Sequence, residues 1–236
     1  MSITGTDKDN PVKSGIPIAD LGAGLYAVIG ILSAIQSREK NDSGEHVDIS
    51  MLDTQVSLLT YMATMHFLSG ENPEPIGNQH MNHVPFNSYK TSDGFIQIGV
   101  VAEDFWPSLI KALDLGQLDT EENKLRIGRL KNREIIDEAV QEVFITNTTE
   151  HWLKILQEHR VPCGPINTLS ETFEDADLLK RNMIVEVLQD SGASVKMPGN
   201  PVKISNHDEE FRRSPKLGEH TAEIFKNWLN KDISVD

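Results

Sequence analysis

The side chain best placed to do chemistry is Asp20, in the stretch SGIPIADLGAGLYAVIGILSAIQSR that runs from Ser14 to Arg38. It stands between an apolar run and the glycine-flanked start of a long helix, whose apolar positions Leu25, Val28, Ile29, Leu32 and Ile35 follow helical spacing. If Leu21 or Gly22 opens that helix, the carboxylate sits where unpaired backbone N–H groups and the helix dipole favour an anion. Two roles fit: a helix cap, or an ionised carboxylate available as a nucleophile. Gly22 and Gly24 would let a ligand approach the backbone closely. They do not make a dinucleotide fingerprint, because GAGLYA lacks the third glycine of G-x-G-x-x-G and only a weak strand precedes it.

A second group of polar side chains lies in the loop GNQHMNH, with Gly77, Asn78, Gln79, His80 and His83. Two histidines three apart without a nearby third ligand are a poor metal set, so no metal is expected. The loop reads better as a flexible lid with donors for a ligand carbonyl. Cys163, between Pro162 and Gly164, has only His159 as a candidate base in sequence and reads as a buried structural cysteine. Trp106, Trp152 and Trp228 read as core anchors, and the charged run from Lys124 to Arg133 as a solvated helix face.

The elements that must hold these residues form an α/β pattern. The helix after Asp20 carries a stripe widened by Ala27 and Ile31, so burial on most sides is expected. HVDIS reads as a short strand, and Ser50 with Asp53 as a cap on a second helix running to about Leu68. Two strands joined at Asp93-Gly94 make a hairpin in FNSYKTSDGFIQIGVV. Helices follow in DFWPSLIKALDL, with Pro107 in its opening turn, in KNREIIDEAVQEVFITN and in TTEHWLKILQEHR. VPCGPIN is punctuation. The tail holds a short helix near Asp175 to Arg181, strands in MIVEVLQ and VKMPGNPVKIS, and a closing helix in GEHTAEIFKNWLN.

A chain of 236 residues can bury a sizeable core, and 38% hydrophobic with 25% charged residues is an ordinary globular composition. A net charge of −14 repels nucleic acid and anionic membranes, so neither is an expected partner. No apolar run is long enough to span a bilayer and no signal pattern is evident, so a cytoplasmic location is expected. The single cysteine fits a reducing compartment.

Taken in order, several segments resemble the family III CoA-transferases, the formyl-CoA, carnitine-CoA and bile-acid-CoA transferase type. ADLGAGLYAVIGILSAIQSR is similar to that family's catalytic-aspartate segment, and SGEHVDISMLDTQVSLL to the strand and helix after it. VPFNSYKTSDGFIQIGV, HRVPCGPINTLSE and PKLGEHTAEI continue the match. The resemblance implies that Asp20 is the nucleophile in CoA transfer from an acyl-CoA donor to a carboxylic acid acceptor, through aspartyl anhydride and aspartyl-CoA thioester intermediates. It implies no permanently bound cofactor, CoA thioester being the substrate, and makes Gly22, Gly77, Asn78, Gln79 and His80 candidates for contact with substrate or CoA.

The fold it implies is the C-terminal portion of the family's α/β architecture. Residues 1–70 are the catalytic-aspartate part of a large nucleotide-binding-like domain, 71–83 a linking loop, 84–168 a small α+β domain, and 169–236 a segment returning to the large domain. The family's N-terminal CoA-binding half-domain is lacking, so a weak or inactive isolated chain is expected. Its partners would be a second copy in an interlocked homodimer, or the missing half. A 2-methylacyl-CoA racemase of the same superfamily and a non-catalytic fragment stay open beside the transferase.

Overall fold

In the computed structural model, which describes residues 1–230, Pro17 sets where helix α1 (Ile18–Asn41) begins. Its φ of −75° and ψ of 75°, with the Ile18 N–H donating to the Ile16 C=O at 2.9 Å, make an inverse γ-turn. The pyrrolidine ring already holds φ near that value. The helix therefore opens at Ile18 rather than at Leu21 or Gly22, and Asp20 is its third residue. The cap role is overturned: the N-cap position is Pro17, with no side-chain cap bond.

Ser50 caps α2 (Met51–Leu58) as its spacing predicts, its Oγ accepting from the Asp53 N–H at 3.2 Å. The helix expected to run on to Leu68 is broken at Thr60, whose φ of 48° lies outside the helical region, and α3 (Tyr61–Ser69) follows. His46–Ser50 is not a strand, since no described strand lies beside it to complete a ladder. Missing side chains let α1 pack closely. A Cβ on Gly22 would lie 3.0 Å from Thr54 Cγ2, and one on Gly30 would lie 2.8 Å from Val47 Cγ1.

The rest of α1 is not buried as expected: Leu25, Ile29 and Leu32 are at least 60% exposed. Leu21 to Ser37 carries no charge, and by length and composition α1 could cross a membrane. The expectation that no run reaches that length is corrected. Glycines, serines and a glutamine interrupt the run without adding charge.

The core belongs to the next segment. The hairpin forms as predicted from β1 (Phe86–Lys90) and β2 (Phe95–Gly99), with Phe86 opposite Gly99. Gly99 makes room for the Phe86 ring, which would lie 3.0 Å from an added Cβ. Helices α4 (Phe105–Leu113), α5 (Arg126–Lys131), α6 (Arg133–Phe144) and α7 (Thr149–Glu158) pack around it. On α6 the buried residues Ile136, Val140 and Phe144 recur every fourth position, the spacing that puts them on one face. Trp106 and Trp152 are core anchors, the latter donating from Nε1 to the Phe144 C=O at 2.9 Å.

Asp93, in the hairpin turn, accepts from the Thr149 N–H at 2.8 Å and so joins the turn to the start of α7. VPCGPIN is more than punctuation, because β3 (Cys163–Pro165) pairs antiparallel with β2, giving the sheet order β1-β2-β3. Three residues are too few for a period-2 pattern to show.

The chain divides into two compact units, Met1–Ile166 and the residues from Asn167 on. The second unit holds α8 (Leu169–Glu174), fixed by a capping box of Thr168 and Glu171 that sequence reading missed, and α9 (Ala176–Lys180). β4 (Ile184–Leu188) and β5 (Ser194–Pro198) form an antiparallel hairpin, and α10 (Thr221–Leu229) follows. Arg213 joins Asp190 and Glu219 there. Trp228, expected in a core, is instead 83% exposed, because no described residue covers that face of α10.

Gly128 in α5 supports a sharp prediction, because a Cβ there would lie 1.9 Å from the Glu122 carbonyl oxygen. Gly128→Ala should destabilise the chain by about 3 kcal/mol, read as a lower urea midpoint. Gly116→Ala, with nothing within 4 Å of the new methyl, should leave the midpoint unchanged.

Candidate active site

Asp20 opens onto a cleft of about 660 Å³, walled by Met1–Thr4, Val12–Pro17, the first residues of α1, and Gln55, Leu58 and Leu59 near the end of α2. Its carboxylate is exposed. The γ-turn uses the Ile18 N–H, and the Leu21 N–H donates to the Pro17 C=O at 3.0 Å. The N–H groups of Ala19 and Asp20 have no acceptor among the described residues. A carboxylate therefore stands beside two free donors at the positive end of a 24-residue helix. Such an arrangement can present a nucleophilic oxygen and stabilise a neighbouring oxyanion. Lys13 adds a cation to the wall.

The other candidates fall in different places. Gly22 faces Thr54 and Leu58 of α2, so its missing side chain serves helix packing, whereas Gly24 faces open space. Gly77, Asn78, Gln79 and His80 do not line the cleft. Gly77, at φ 62°, donates its N–H to the Gly5 C=O at 2.8 Å, next to the Met1–Thr4 wall. The Asn78 side-chain amide donates to Ser88 Oγ at 2.6 Å, and that of Gln79 to Asp137 Oδ2 at 3.5 Å. The His80 C=O accepts from Arg133 Nη2 at 2.7 Å. This loop spends its polar groups on the protein itself.

His80 and His83 pack as tilted rings with centroids 4.6 Å apart, and burial and the neighbouring positive charges push His83 below the usual histidine range. Sequence reading missed the groups around this loop. Tyr89 donates its hydroxyl to Asp137, which burial holds above the usual carboxylate range. Arg129, read as solvated, is 1% exposed and lies over Trp106, its guanidinium carbon 5.2 Å from the ring centre. No spacing signal marks it, because Arg129 lies on α5, before the break at Asn132 that starts α6.

Cys163 is half-buried in β3, and burial pushes its thiol up. The only candidate base, His159, has Nδ1 2.9 Å from the Ile155 C=O. A thiol raised in this way stays protonated at neutral pH. Alkylation of Cys163 by iodoacetamide at pH 7.5, followed by mass spectrometry, should run about tenfold slower than in urea-unfolded chain.

Residues 1–221 match the model of CoA-transferase family III, and the chain belongs to that family. Human succinyl-CoA:glutarate CoA-transferase is 30% identical over 234 residues, 98% of this chain and 53% of that protein. Succinyl-CoA:mesaconate CoA-transferase of Haloarcula marismortui is 32% identical over 227 residues, 95% of this chain and 57% of its own. Among solved structures, a CAIB/BAIF family protein from Brucella suis matches with a TM-score of 0.78 at 31% identity, over 95% of this chain and 58% of that one. The α/β class expected from the sequence holds. The chain spans about half the length of the curated relatives it matches.

Proposed function

We propose that this chain carries the nucleophile of a CoA-transferase that moves CoA from an acyl-CoA donor to a carboxylic acid, with Asp20 as the residue that forms the covalent intermediates. The observation that carries this reading is the exposed Asp20 carboxylate beside the two acceptor-free N–H groups of Ala19 and Asp20, on a cleft of about 660 Å³. Several curated relatives have names that pair succinyl-CoA with a dicarboxylic acid, which makes such a pair the first to test.

In the first step an Asp20 Oδ attacks the thioester carbonyl. The C–S bond breaks, CoA leaves as thiolate, and a mixed anhydride remains on Asp20. The thiolate then attacks the Asp20 acyl carbon, releasing the donor acid as carboxylate and leaving an aspartyl-CoA thioester. An acceptor carboxylate attacks that thioester, displacing thiolate and forming a second anhydride. The thiolate closes the cycle by attacking the acceptor acyl carbon, which frees the Asp20 carboxylate and the new acyl-CoA. Every tetrahedral intermediate places negative charge on an oxygen, and the free N–H groups at the start of α1 are the donors nearest in sequence to Asp20.

Gly24 would admit a ligand to the backbone, and Gly77 to His80 would act from outside the cleft. The exposed apolar residues of α1 support a covering surface supplied by a second copy of the chain.

Incubation with succinyl-CoA and then hydroxylamine should leave a hydroxamate on the Asp20 peptide, read by mass spectrometry. Asp20→Ala should abolish it and lower transfer to glutarate by about a thousandfold or more. An adduct that survives Asp20→Ala would overturn the assignment, and α-proton exchange without transfer would point to racemase chemistry instead.

A further inference from the structure

Three arginines of α5 and α6 each donate to a backbone carbonyl of one loop. Arg133 Nη2 reaches the His80 C=O at 2.7 Å, Arg126 Nη1 the Asn82 C=O at 3.2 Å, and Arg129 Nε the Val84 C=O at 2.9 Å. Every second carbonyl from His80 to Val84 is thus held by a charged donor, a stronger bond than a neutral one gives. The loop lies outside any sheet, so these carbonyls have no ladder to satisfy them.

The three are not equivalent. Arg129 also donates to the Asn123 and Lys124 carbonyls and to Glu103, and is part of the core. Arg133 holds the His80 C=O, while its Nη1 is buried with no partner among the described residues. One turn further on, Asp137 takes the Gln79 amide, so consecutive loop residues are attached to α6.

The far end of the loop touches the segment that forms one wall of the cleft. Gly77 bonds to Gly5, and a Cβ on Gly5 would lie 3.0 Å from Val12 Cγ2, a residue of the cleft wall. Among the described residues, the hydrogen bonds and ion pairs that tie residues 1–13 to the rest of the chain are two. They are Gly77 N–H to Gly5 C=O at 2.8 Å, and Lys8 to Glu74 at 3.1 Å. The first lands on Gly77, three residues before the His80 carbonyl that Arg133 holds, and the second on Glu74 just upstream.

We infer that Arg133 is a positioning residue: by fixing the loop from Gly77 to Val84, it sets the position of the Met1–Thr4 wall of the cleft that Asp20 also lines. Its functional meaning rests on the reading of Asp20 as nucleophile, but the mechanical link does not. Ile3 lines the wall and reports on it directly.

The test is methyl NMR of the isoleucine-labelled full chain. Arg133→Met should displace or broaden the Ile3 δ-methyl signal and speed exchange of the Gly77 amide by about tenfold, the loss expected for one charged hydrogen bond. Arg133→Lys, which keeps one donor, should recover most of both. Val140→Ala, a core truncation on the same helix, should shift Ile96, Ile98 and Ile136 without moving Ile3. Should Arg133→Met not fold, Gly77→Ala breaks the same link from the other end, because alanine disfavours a φ of 62°.

An unmoved Ile3 in the folded variants, or an equal displacement by Val140→Ala, overturns the inference. In the transfer assay Arg133→Met should raise KM for succinyl-CoA about tenfold with kcat little changed. If wild-type chain supplied with the family's N-terminal half-domain forms no Asp20 adduct, the functional reading fails while the NMR result still decides the mechanical one.

Discussion

The packing of the first unit turns on one buried guanidinium. Arg129 brings a full charge into the core, which costs several kcal/mol unless every donor is used. Here the donors reach three carbonyls from two loops and the Glu103 carboxylate, and the flat face lies over Trp106. Burial works against ionisation of Glu103, but the bond and charge of Arg129, helped by the Arg126 N–H, hold it below the usual carboxylate range. The loop before β1, the turn before α5 and the start of α4 are therefore fixed by one side chain. None of these segments has a regular ladder of its own to do so.

What could be read from the sequence was whatever depends on period and on short-range chemistry. The apolar spacing of α4, α6 and α7, the Ser50 cap and the Asp93-Gly94 hairpin are local, and all are present in the structure. The ordered match of segments carried the family. What stayed hidden depends on partners far along the chain. β3 exists because β2 is there to receive it, and Arg129 is buried because carbonyls from residues 84, 123 and 124 converge on it. His46–Ser50 shows the reverse case, a strand-like segment with no described neighbour to pair with.

The Asp20 region shows why a few residues of helix register matter. A capping aspartate spends its carboxylate on the N–H groups of the first turn, so carboxylate and donors cancel one another. Because Pro17 turns the chain and Ile18 opens the helix, Asp20 lies three positions past the N-cap, too late to cap. Carboxylate and donors both stay free. The candidate site therefore depends on a proline three residues upstream, which periodicity in the helix itself could not reveal.

The uncharged stretch of α1 has a colloidal consequence. Its exposed leucines and isoleucines favour contact between molecules in proportion to the apolar area they would hide. The net charge of −14 opposes that contact at long range. At low ionic strength repulsion extends over tens of ångströms, but near physiological salt it fades within about 8 Å. Salt concentration therefore acts on this chain as a control on crowding, and decides whether charge or the bare helix face governs how close two molecules come.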